Sequence, residues 1–217
     1  MTVVDKFKRI LAATDLSSNS SQAIDRGFLL AKKNQAHYTI VHAIGLTLLS
    51  ELGGFFSQNL EKISNSITAQ TNQQLSDVAN ASRNKDIAPF ELRLERGKPN
   101  IAIPAYAKNS NSDLVLIGAH GSGFLQHALL GSTASRLLRK SPCPVLVVKQ
   151  EAYCDYTRVL IAIDFSPTSK ANISLAQKIA PGASIILLHA YEVPFAGKMQ
   201  MAGVDEDVIR QYQEEAR

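Results

Sequence analysis

The stretch Asp113–Val148, DLVLIGAHGSGFLQHALLGSTASRLLRKSPCPVLVV, constrains the rest of the chain most. Leu114 to Ile117 are four continuous apolar residues between polar ones, which suits a strand buried on both faces. Gly118 ends the run, and Gly121 and Gly123 follow at once. Glycine there allows unusual backbone angles and close approach of another group. Gly131-Ser132-Thr133 then precedes Ala134, Leu137 and Leu138, spaced for one face of a helix. Ser132 or Thr133 is the expected N-cap, and the first free amides of such a helix hold anions. Arg136, Arg139 and Lys140 suit the negative end of its dipole. Ser141-Pro142-Cys143-Pro144 stops the helix, and Val145 to Val148 reads as one more strand. The unit is strand, glycine loop, helix, strand, with a loop chemically fit to cradle phosphates.

Upstream, Arg9 to Asp15 is the first strand, with Asp15 at its carboxyl end, followed by the cap-rich turn Leu16 to Ser20. Ala23, Ile24, Phe28, Leu29 and Ala31 form a helical stripe ending near Lys32-Lys33-Asn34. Tyr38 to Ile44 is a second strand, and the irregular Gly45 to Phe56 is apolar enough to pack. Asn59 to Asn84 carries the sparse apolar positions Leu60, Ile63, Ile67, Leu75 and Val78, a long helix with a narrow buried stripe. Pro89 to Glu95 alternates strictly, which marks a strand with one wet face at a sheet edge. Ile101, Ile103, Ala105 and Tyr106 belong to a short helix with Pro104 in its first turn. Five strands alternating with four helices predict an α/β fold, a doubly wound parallel sheet with helices on both faces and right-handed crossovers.

Gly118-Ala119-His120-Gly121, nine residues, then Gly131-Ser132 resembles the phosphate-binding signature of ATP-binding universal stress proteins, and the SPCPVLVV ending resembles the same family. It is no Walker A motif, since no Gly-Lys-Ser/Thr follows. The competing reading is that these glycines only make a tight strand-to-helix turn. The resemblance implies strand order 3-2-1-4-5, which suits an alternating third strand at the edge. Strands one and four then meet at the switch point where open α/β sheets bind ligands. It further implies a site for ATP, with Mg²⁺ possible alongside the nucleotide. Asp15 would face the adenosine end, and the alternative for it is an N-cap. Ala43 would offer its backbone to adenine, and Ala13 and Thr14 would line the same wall. Gly118, Gly121 and Gly131 would approach the phosphates, with Ser132 and Thr133 as donors; Ile117 would belong to the same site, and His120 would either touch a phosphate or be simply exposed. The family often has proline where Ala13 stands.

A repeat follows. Arg158 to Ser166, RVLIAIDFS, parallels Arg9 to Ser17, RILAATDLS, and Leu188-His189-Ala190 parallels Val41-His42-Ala43. The expected organisation is a complete domain at 1–149, a linker at 150–156, and a partial second copy at 157–217 with no glycine signature. This resembles a tandem universal stress protein cut short. The resemblance also implies a homo-oligomer through the Val145–Val148 strand edge, which Leu146→Pro is expected to obstruct.

Composition narrows the rest. Residues 1–150 hold 17 Lys+Arg against 10 Asp+Glu, a net +7, whereas residues 151–217 hold 6 against 9, a net −3. The basic residues are scattered, without the clustered patch of a nucleic-acid surface. No window suits a membrane span, and MTVVDKFKRI lacks a signal peptide's apolar core, so a cytoplasmic setting is expected. Cys143 and Cys154 form no metal spacing or disulfide framework. His42 and His189, in apolar strands, read as satisfied core histidines. No catalytic residue, metal cluster or Ser-His-Asp set is legible, so any ATP hydrolysis is expected to be slow. The leading expectation is an ATP-binding stress-response protein acting through nucleotide-dependent assembly or a partner. The alternatives are a nucleotide-independent interaction module and a hydrolysing or adenylyl-transferring enzyme of a related fold.

Overall fold

The computed structural model describes residues 6–45, 60–119, 130–191 and 195–215, in two units, Met1–Asp155 and Tyr156–Arg217. In the first unit, strands β1 (Arg9–Thr14), β2 (His37–Ile44), β3 (Phe90–Arg96), β4 (Leu114–Gly118) and β5 (Val145–Val148) form one parallel sheet in the order β3-β2-β1-β4-β5. Its described helices are α1 (Ser18–Asn34), α2 (Leu60–Asn80), α3 (Pro99–Asn109) and α4 (Ser132–Lys140). The expected doubly wound sheet and its order are thus observed. The apolar runs of β1, β2 and β4 are buried on both faces, and each fully buried Leu or Ile contributes about 1.5–3 kcal/mol by leaving water. β3, at the edge, alternates between half-buried and exposed residues as its sequence does.

Local rules explain most of these elements, with three corrections. Ser17 caps α1, its side chain accepting from the Ser20 amide, so Asp15 is not the cap. The buried stripe of α1 uses Leu30 where Leu29 was expected. α3 starts at Pro99, which occupies the first turn where a missing N–H costs nothing. Pro104 therefore lies inside the helix and forfeits a backbone bond.

The outer edge of the sheet is β5. The Pro144 and Val148 carbonyls accept from Val115 and Ala119 amides on the β4 side, at 3.0 and 3.1 Å. Successive residues of a strand point their backbone groups to opposite sides, so Leu146 also faces β4. The groups turned to the open edge are those of Val145 and Val147. Leu146→Pro would break the sheet's own ladder, and Val147→Pro is the substitution that tests the edge.

Glu151 to Asp155 lie within the first unit, held by Lys33 to Asp155 at 2.6 Å, Arg26 to the Cys154 carbonyl at 2.7 Å, and Arg83 to Glu151 at 3.3 Å.

The second unit contains β6 (Arg158–Ile163), α5 (Pro167–Ile179), β7 (Ser184–His189), α6 (Ala196–Met201) and α7 (Glu206–Glu215). β6 and β7 form a parallel two-stranded sheet. Its local geometry repeats that of β1-α1-β2. Ser166 caps α5 as Ser17 caps α1. Phe165 and Leu16, each just before its cap, both adopt left-handed backbone, at φ 62° and 67°.

Candidate functional site

The carboxyl ends of β1, β2 and β4 and the start of α4 enclose a cleft of about 290 Å³. Of the eleven positions anticipated from sequence, nine line it: Ala13, Thr14 and Asp15 from β1 and its turn, Ala43 from β2, Ile117 and Gly118 from β4, and Gly131, Ser132 and Thr133 at α4. His120 and Gly121 lie outside the described residues. The register explains the convergence, since Ala13 is paired with both Val41 and Ile117 across the central strand.

One end of the cleft is built by α4. Gly131, not Ser132 or Thr133, is its N-cap, with φ −64° and ψ 153° and no side chain to accept from the first turn. The first helical bond runs from the Ser135 amide to the Gly131 carbonyl at 2.9 Å. The amides of Ser132, Thr133 and Ala134 therefore meet the cleft at the positive end of the helix dipole, a recognised anion-holding arrangement. Gly131 is anchored in turn, its amide donating to the Ala119 carbonyl at 2.8 Å.

Gly118 has a second physical reason to be glycine. A Cβ there would lie 3.1 Å from the Asn19 carbonyl oxygen and 3.2 Å from the Ser20 Cα. Absence of a side chain lets the start of α1 approach β4 directly.

The opposite wall is a closed hydrogen-bond set. The Leu16 amide donates to Thr14 Oγ1 at 3.0 Å, Thr14 Oγ1 and Ser20 Oγ are 2.7 Å apart, and Ser20 Oγ donates to the Ser17 carbonyl at 2.8 Å. With Ser20 donating elsewhere, the Thr14 hydroxyl donates to Ser20. The Thr14 side chain thus supports the turn. Asp15 is exposed, and its Oδ1 accepts from the Ser17 amide at 3.1 Å and the Ser17 hydroxyl at 2.5 Å. This fixes the carboxylate at the mouth of the cleft.

Sequence reasoning missed Ser20, His42, Pro99, Ile103, Ala119, Ala134 and Leu137, which also line the cleft. Ile103 and Leu137 read simply as core and are core, buried against Leu11, Ala13, Val41 and Ala43. His42 was the legible one. It is half-buried and lies on the cleft wall, where Nδ1 meets the Thr14 carbonyl at 2.8 Å. A carbonyl only accepts, so Nδ1 carries the proton in that bond. His189 makes the same 2.8 Å bond to the Ile163 carbonyl, yet it is exposed rather than in a core.

Among the described residues, no group of three or more His, Cys, Asp or Glu could hold a metal ion, and no helix is long and apolar enough to cross a membrane.

Comparison with known proteins agrees with this architecture. A protein of Staphylococcus aureus (strain USA300) named for the universal stress proteins is 34% identical over 146 residues, 67% of this chain and 86% of its own. A universal stress protein solved in complex with cAMP shares the fold at TM-score 0.50 and 22% identity, over 66% of this chain and 98% of that one. A universal stress protein from Archaeoglobus fulgidus DSM 4304 shares it at TM-score 0.57 and 20% identity, over 94% of this chain and 74% of that one. The model of the universal stress protein family matches residues 6–149, and the chain belongs to that family.

Proposed function

We propose that the cleft binds an adenine nucleotide, ATP with Mg²⁺ accompanying it, and that occupancy governs assembly or partner binding in a cytoplasmic stress response. The observation that carries this is the uncapped start of α4 inside the cleft, facing a wall with a carboxylate at its mouth. Ser132, Thr133 and Ala134 amides are suited to phosphate oxygens. Asp15 is suited to ribose hydroxyls, and the apolar wall of Ala13, Ala43 and Ile103 to a flat base. The binding of cAMP by a relative of the same fold supports a nucleotide ligand. The reading includes association through the β5 edge. It also takes the second unit as a partial copy of the first, supported by the paired caps, left-handed residues and histidine bonds.

The test is mass spectrometry of material released by denaturing the purified protein, followed by calorimetric titration with ATP. Bound or titratable adenine nucleotide is expected. A protein that releases nothing and gives no heat with ATP rejects the reading. A chemically converted nucleotide would favour the enzyme of a related fold.

A further inference from the structure

A separate cavity lies in the first unit, at the other end of the sheet from the cleft. Side chains two residues apart on a strand share a face. Leu11 and Ala13 of β1, with Val41 and Ala43 of β2, lie on the face packed by Ile103 and Ala107 of α3. Toward the amino ends of the strands that face turns polar, with Arg9 on β1 and His37 and Thr39 on β2. The register sets Arg9 beside His37, Thr39 beside Glu91 of β3, and Val41 beside Arg93. These five polar residues and Tyr106, near the carboxyl end of α3, line a cavity of about 230 Å³.

Thr39 is the buried member of this lining. It is only 7% exposed, yet among the described residues its hydroxyl has no hydrogen-bond partner. Most buried polar side chains have one, and burying a hydroxyl without one is costly. The Tyr106 hydroxyl and the Arg9 guanidinium likewise have no partner among the described residues. The acceptors around the cavity are engaged. Glu91 Oε1 lies 3.2 Å from His37 Nε2, and Oε2 accepts from Arg93 Nη2 at 3.4 Å. At the end of α3, the carbonyls of Tyr106, Ala107 and Lys108 accept from the amides of Ser110, Ser112 and Asn111 at 2.9, 2.9 and 3.1 Å. The Asp113 carboxylate accepts from the Lys8 and Arg9 amides at 2.6 and 2.8 Å. The groups left over are donors.

We propose that this cavity binds a small oxyanion, the carboxylate or phosphate group of a small molecule, whose oxygens accept from Thr39, Tyr106 and Arg9. The lining sets two guanidinium groups against one carboxylate, and that carboxylate is already shared between His37 and Arg93. Arginine suits the role because its planar fork matches the edge of a carboxylate or phosphate. Such a ligand gives the buried Thr39 hydroxyl its missing acceptor. The site is independent of the nucleotide reading, since the cleft lies at the carboxyl ends of the strands and this cavity at their amino ends.

The test is amide NMR of the full chain, titrated separately with inorganic phosphate and with succinate at constant ionic strength, with and without ATP. Saturable shifts are expected at the Arg9, Thr39 and Arg93 amides, and they persist when ATP is present. The probe that binds more tightly identifies the group, carboxylate or phosphate. Thr39→Val is expected to lower the affinity about tenfold, the scale of a hydrogen bond to a charged group. It should leave the melting temperature of the ligand-free protein no lower, because the hydroxyl has no partner to lose. Arg9→Gln, at an exposed position, should also weaken binding about tenfold. Absence of saturable shifts with both probes overturns the inference. So do shifts confined to the α4 amides, which place the anion in the cleft, or an affinity unchanged in both variants.

Discussion

The amide of Gly131 donates to the carbonyl of Ala119 at 2.8 Å, and the Ala119 amide donates to the Val148 carbonyl at 3.1 Å. The chain thus leaves β4 and returns to α4 at one point, tied to the edge strand. That tie aims the first turn of α4 into the cleft.

Gly131→Val is expected to weaken ATP binding by about 1–3 kcal/mol, the range for losing hydrogen bonds to a charged group, with little change in stability. Gly131 has φ −64°, so the new residue meets no left-handed backbone, and its side chain enters the cleft beside the α4 amides. Calorimetric titration and a thermal melt on the same variant check this. Wild-type affinity in a folded variant would remove α4 from the phosphate site.

Gly118→Ala has the opposite signature. The new methyl would press on α1 backbone, at 3.1 Å from the Asn19 oxygen, and overpacking of this kind costs about 1–3 kcal/mol. Chemical denaturation should show the loss in the absence of nucleotide. An unchanged midpoint would mean that α1 yields easily and that Gly118 is glycine for the ligand alone.

Asp15→Ala separates two roles of one carboxylate. Loss of a bond to the nucleoside weakens ATP and adenosine alike, by ~1–3 kcal/mol. Asp15 also holds Ser17, the cap of α1, and loss of a cap costs about 0.5–2 kcal/mol of stability. Both effects are expected, with the stability loss smaller than in Ser17→Ala. Reduced stability at unchanged affinity would assign the carboxylate to the turn alone.

Asp164 provides a pH test in the second unit. Its carboxyl is held low chiefly by the hydrogen bond from Ser166, then by that from Ser169. A folded value below the unfolded one means a stabilising contribution that is complete above the ordinary aspartate value of about 3.9 and lost as pH falls through the folded value. Carboxyl-carbon NMR should find Asp164 titrating below that ordinary value, and Ser169→Ala should move it upward. An unmoved midpoint in the variant would place the effect elsewhere.

Local pattern made the scaffold of the site readable in advance. Strand runs, the Asp15 position and the Gly131-Ser132 pair follow from short-range chemistry, so they survive without knowledge of neighbours. The choice between candidates a few residues apart did not. Ser17 rather than Asp15 caps α1, and Gly131 rather than Ser132 caps α4, because backbone angles at the turn decide which side chain reaches an amide.

The sequence by itself determined the five-strand alternation, the edge position of β3 and the repeat of Arg9–Ser17 in Arg158–Ser166. Only the tertiary structure decided what each repeat does with its apolar strand. Leu11 and Leu160 occupy equivalent places in parallel segments, yet one is fully buried and the other mostly exposed. Burial depends on what another part of the chain lays across the sheet. α3, α4 and β4 supply that cover for β1, and the described residues show β6 with its outer edge open.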